Sequence, residues 1–105
     1  MDTAQLLPGM TDQIVRRFAP MRIILFGSQA RGEPNSSSDV DLLVVLPQVK
    51  DKRQTAIEIR RALVSFSIPK DIIVTTPEEI SRRGNLVGTL LHTALREGKI
   101  LYERA

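Results

Sequence analysis

The 105 residues predict a small α/β (α+β) fold, a mixed β-sheet of three to four strands with helices packed on it, organised as a single domain over residues 1–105. Three observations lead there. Short β-rich apolar runs, RIILF (22–26), VDLLVV (40–45) and DIIV (71–74), are separated by Pro, Gly and Ser turn chemistry. Between them lie segments whose apolar residues recur every three or four positions. The content, 42% hydrophobic and 26% charged, can fill one core and excludes wholesale disorder.

In chain order, Met10 to Phe18 predicts a short helix after Pro8-Gly9, with Thr11 as cap, Ile14, Val15 and Phe18 inward, and Pro20 ending it. Met21 to Phe26 predicts the first strand. Gly27 to Ser38 is turn chemistry, with room for one helical turn near Ser28 to Arg31. Val40 to Leu46 predicts a second strand. Its apolar run is nearly continuous, so both faces should be covered, and Pro47 closes it.

Asp51 to Phe66 is the clearest helix. Asp51 and Gln54 form a D-x-x-Q capping pattern, and Ala56, Ile59, Leu63 and Phe66 make one stripe. Lys70 to Thr75 predicts a third strand. Thr76-Pro77-Glu78-Glu79 starts a short helix ending near Gly84: a hydroxyl cap, Pro at the first helical position, and an acid three after the cap. Asn85 can cap a further helix, Leu86 to Glu97, terminated by Gly98. Lys99 to Tyr102 can supply a last strand. The apolar face of the final helix (Leu86, Val87, Leu90, Leu91, Ala94, Leu95) is wide; it predicts core packing first and a partner surface second. His92 falls off that stripe and should be exposed.

Composition narrows the chemistry. No cysteine and one histidine exclude disulfide scaffolds, thiolate zinc sites, cysteine nucleophiles and histidine-pair metal sites. A metal would need oxygen ligands, which points to magnesium or manganese. No apolar run approaches the roughly 20 residues that span a bilayer, and MDTAQLLPGM lacks a signal peptide's basic and apolar regions. The expectation is a cytoplasmic protein with no membrane association. A net charge of +3 and the pairs Arg16-Arg17, Arg60-Arg61 and Arg82-Arg83 suit a nucleotide or an acidic protein. One Tyr, three Phe and no Trp make a poor stacking platform, so nucleic acid is not the expected partner.

The stretch FGSQARGEPNSSSDVDLLVV (26–45) carries the chemistry. Strand alternation puts Asp39 and Asp41 on one face with Cα atoms roughly 6–7 Å apart. Such a pair is either a solvated strand end or a metal site, since a cation between the carboxylates removes their repulsion. Gly27-Ser28 at the end of a strand offers backbone N–H groups and a hydroxyl to a phosphate, and Arg31 lies one turn further on. Asp71 opens the third strand and can join the pair if that strand lies beside the second. Each feature alone has a plain structural reading: a common turn, an isolated D-x-D, a strand-end acid. No Walker loop, G-x-G-x-x-G or EF-hand is present. The conjunction is the signal.

Gly27-Ser28, ten residues, then Asp39-Val40-Asp41 resembles the signature of DNA polymerase beta-type nucleotidyltransferases. The words LFGSQARGE and SDVDLLVV are especially similar to the minimal nucleotidyltransferases of bacteria and archaea, and the resemblance extends through DIIVTTPEEI. It implies a polymerase beta-like nucleotidyltransferase core. Gly27 and Ser28, with Arg31 beside them, would hold the triphosphate. Asp39 and Asp41 would bind two magnesium ions, or manganese, and Asp71 would be the third catalytic and metal-binding carboxylate. It further implies transfer of AMP from ATP to a hydroxyl, a tyrosine, of a partner HEPN-domain toxin, with this chain as antitoxin in a hetero-oligomer. The alternative is a catalytically silent antitoxin that neutralises its partner by binding alone. A small-molecule or RNA acceptor would call for a substrate domain that these residues do not provide.

Overall fold

The structure is a computed structural model that describes residues 3–27, 39–83 and 90–104. Each β-rich run forms a strand: β1 (Arg22–Phe26), β2 (Val40–Val45), β3 (Lys70–Thr75) and β4 (Lys99–Glu103). They make one sheet in the order β3-β2-β1-β4. β1 runs antiparallel to both β2 and β4, whereas β2 and β3 are parallel. A parallel pair needs a long crossover; here it carries α2 (Lys52–Ala62). The remaining helices are α1 (Thr3–Phe18), α3 (Pro77–Arg83) and α4 (Leu90–Glu97).

The two faces of the sheet are covered by different helices. On one face Ile23, Leu25, Val40, Leu42, Val44, Ile72 and Val74 pack with Met10 and Ile14 of α1 and Ile59 of α2. On the other, Ile24, Phe26 and Leu43 meet Ala94 of α4, with Ile73, Leu91 and Leu95 alongside. β2 lies between both layers, and of its residues only Asp41 is not buried. The continuous apolar run of VDLLVV is thereby explained.

Helix ends follow their caps. Asp51 Oδ1 accepts from the Gln54 N–H at 3.1 Å, and Thr76 Oγ1 accepts from the Glu79 N–H at 3.2 Å. The Glu79 side chain, rather than reaching back to its cap, accepts from Thr75 Oγ1 and Lys52 Nζ, each at 2.6 Å. It ties the end of β3 to the starts of α2 and α3.

Three expectations are corrected. α1 begins at Thr3, not Met10, and contains Pro8. A proline beyond the first turn removes one intrahelical bond and crowds the carbonyl four residues back, and against that cost the added turns place Leu6 and Leu7 on the core. α2 ends at Ala62 instead of Phe66, although Leu63 is fully buried and Phe66 still packs on the core through the turns that follow. His92 is half-buried and engaged, not exposed. Residues 84–89, where the last helix was expected to begin, lie outside the described residues.

Candidate active site

β1 ends where the chemistry begins. Gly27 follows Phe26 with φ +78°, a left-handed conformation that favours glycine. In the antiparallel register Phe26 lies opposite Asp41. A Cβ built on Gly27 would collide with Asp41 Oδ2 and stand 3.2 Å from its Cγ. The half-buried Asp41 carboxylate therefore rests on the glycine, in the space a side chain would fill. Exposed Asp39 stands just before β2, two residues from Asp41 and on its side of the strand by alternation.

On its other flank β2 pairs with β3, and the register sets Asp41 directly beside Asp71. Partnered residues of neighbouring strands share a face about 4.8 Å apart. The sheet thus assembles the three sequence-predicted acids at one end, on the face that carries Phe26 and Leu43. The carboxylates are not gathered equally. Asp71 Oδ1 lies 3.6 Å from Arg60 Nη2 of α2. Among the described residues, no group of three Asp, Glu, His or Cys side chains is close enough to hold one metal ion. Ser28 and Arg31 lie outside the described residues.

Arg60 was not among the sequence candidates. Nothing in α2's periodicity says which end of β3 its outer residues approach; only the packing of α2 on the sheet shows it. Lys70, beside Val40 in register, donates from Nζ to the Phe66 carbonyl at 3.0 Å. Partial burial, and then the Arg60 charge, lower its pKa. The acid end of β3 is therefore flanked by two cations.

The donor chemistry suits magnesium. Magnesium is commonly held by one or two carboxylates together with substrate phosphates. Asp39 and Asp41 supply such a pair, and the seat on Gly27 orients one of them. A cleft of about 660 Å³ lies at the opposite ends of β2 and β3, between Lys50–Arg53 and Thr76–Arg82. Its acids are occupied: Asp51 caps α2, Glu79 takes Lys52, and Glu78 lies 3.8 Å from Arg82. The Gly27–Asp41 end is the better candidate.

A family model described as Nucleotidyltransferase domain matches residues 10–101. The chain belongs to this family. A Methanocaldococcus jannaschii protein named "Putative protein adenylyltransferase" is 37% identical over 57 residues. That match covers 51% of this chain and 54% of the relative, so the chain spans about half the length of the protein it matches. Among solved structures, one described as a "putative nucleotidyltransferase" from Sulfolobus solfataricus aligns with a TM-score of 0.66 and 20% identity, over 96% of this chain and 83% of its own. A toxin-antitoxin crystallised with AMP-PNP gives 0.67 at 21% identity, over 91% and 73%. The toxin-antitoxin MntA-HpeT, in a mutant with two aspartates two positions apart changed to glutamate, gives 0.65 at 17%, over 93% and 73%. The nucleotidyltransferase fold, of the polymerase beta-like type, follows from these likenesses. Among the described residues of this nucleotidyltransferase, no helix is long and apolar enough to cross a membrane.

Proposed function

We propose that this nucleotidyltransferase moves AMP from ATP to a hydroxyl, a tyrosine, of a HEPN-domain toxin and serves as its antitoxin within a hetero-oligomer in the cytoplasm. One observation carries the reading: the Asp41 carboxylate seated on Gly27 just past the end of β1, with Asp39 beside it and Asp71 across the strand pair. The protein adenylyltransferase named in the relative supports the reaction class. The toxin-antitoxin neighbours, one with an ATP analogue and one altered at two aspartates with the spacing of Asp39 and Asp41, support the partner and the pair.

Asp39 and Asp41 would hold magnesium, or manganese, against the triphosphate. The chemistry such an ion would supply there is a lower pKa for the acceptor hydroxyl and charge neutralisation on the departing pyrophosphate. Gly27 and Ser28 would hold the triphosphate, with Arg31 as a further anion contact. Asp71 takes the hydroxyl proton as the oxygen attacks the α-phosphorus and the bond to the β-phosphate oxygen breaks. Residues 1–105 act as one domain, and the partner's own surface brings the acceptor to it.

The second reading, neutralisation by binding alone, is favoured by one feature. Asp71 faces Arg60, and the three acids do not close on a common point. The two readings separate on incubation with α-labelled ATP, magnesium and the product of the adjacent gene. Label should appear on the partner and vanish with Asp39→Asn or Asp41→Asn. If no label transfers, and both variants inhibit the partner as well as wild type does, the chain acts by binding alone.

A further inference from the structure

Asp41 and Asp71 are like charges side by side on adjacent strands, a placement that calls for a positive counter-charge. In the structure Arg60 supplies it to Asp71, with Nη2 at 3.6 Å from Oδ1. Arg60 does so from outside the row of acids. α2 packs on the face of Val40, Leu42 and Ile72, opposite the face to which Asp41 belongs. β3 is the edge strand, so Arg60 reaches Asp71 around that edge. The pair is exposed on both sides, 57% for Arg60 and 52% for Asp71, so it can break at small cost.

A divalent cation at the acids would be a competing counter-charge. Arg60 and the metal repel each other, and both draw on the one Asp71 carboxylate. A second cation, Lys70, stands next to Asp71 in the chain and donates to the Phe66 carbonyl at 3.0 Å, so two positive side chains already flank this edge. We propose that Arg60 is a positioning residue that holds Asp71 out of the metal site until magnesium–nucleotide binding takes Asp71 from it. The inference rests on the reading that the Asp39–Asp41 end binds a metal nucleotide. It makes the Asp71–Arg60 pair the ligand-free arrangement of a catalytic site, so the absence of a closed three-acid group does not require a silent one.

Affinity for magnesium–ATP, measured by isothermal titration calorimetry on the full chain, tests it without reliance on turnover. Arg60 is solvent-exposed on a helix, and alanine is a good helix former, so Arg60→Ala should fold with a melting temperature near wild type. It should bind magnesium–ATP more tightly by on the order of twofold to fivefold, the range an exposed ion pair can withhold. Asp71→Asn should bind more weakly than wild type. Arg60→Ala made in the Asp71→Asn background should then change nothing, because Arg60 acts through Asp71. Unchanged or weaker binding by Arg60→Ala overturns the proposal, as does an equal gain in the Asp71→Asn background. Absence of binding by wild type, or full binding by Asp41→Asn, overturns the underlying reading of the site instead.

Discussion

Gly27 is the residue on which the site turns, for two separate reasons. Its φ of +78° favours glycine, and the Asp41 carboxylate occupies the position its Cβ would take. Gly27→Ala should therefore displace Asp41 by about an ångström and cut partner adenylylation on the order of 10²-fold, at a modest loss of thermal stability. A transfer rate equal to wild type would remove Gly27 from the machinery. Gly98, in contrast, is a packing glycine. A Cβ there would collide with Ile24 Cγ2 and sit 2.5 Å from the Ala94 carbonyl oxygen and 2.9 Å from that of Leu25. Gly98→Ala should destabilise the fold by about 1–3 kcal/mol in urea unfolding. The sequence marks Gly27 as part of a phosphate cradle and Gly98 as a helix stop; that Gly27 also seats Asp41 and that Gly98 packs on β1 is invisible there, because Asp41, Ile24 and Leu25 come from other elements.

At the scale of elements, local chemistry was legible where it acts locally. Asp51 and Thr76 cap the helices their sequence patterns mark, and Lys70–Thr75 is the strand predicted. Asp51→Ala should cost about 1 kcal/mol, read as a lower urea midpoint with an unchanged slope. Where tertiary contacts overrule local preference, the sequence misled. Pro8-Gly9 reads as a helix breaker, yet α1 runs through it. Gly9 lacks the Cβ that would press on the Phe66 ring at 3.1 Å, so α1 approaches the turn after α2 closely. Burial of Leu6 and Leu7 against the core offsets the lost hydrogen bond. α2 shows the converse: the stripe through Leu63 and Phe66 is kept although the helix has ended, since burial constrains side chains and not the backbone that delivers them.

Across the whole molecule, Glu79 joins β3, α2 and α3, and it gives the fold an acid limit. Its burial pushes the carboxyl pKa up, but hydrogen bonds from Lys52 and Thr75, with the Lys52 and Arg83 charges, outweigh that and hold it below its ordinary 4.5. A folded pKa below the unfolded one means stability fully present above about 4.5 and lost as pH falls through the lower folded value. Wild type should lose urea stability between about pH 5 and pH 3 more steeply than Glu79→Gln, which lacks this proton. Equal slopes would show that other carboxylates set the limit. The sequence by itself determined three strands, with a fourth left open, and the capped starts of α2 and α3, and it singled out Asp39, Asp41 and Asp71 as candidates, because periodicity, caps and turn residues act over a few positions. Only the tertiary structure decided that β3 lies parallel beside β2, that Asp71 therefore neighbours Asp41, and that Arg60 reaches Asp71 first. Strand order and helix placement depend on which apolar faces bury one another across the chain, and a charge's partner follows from that burial.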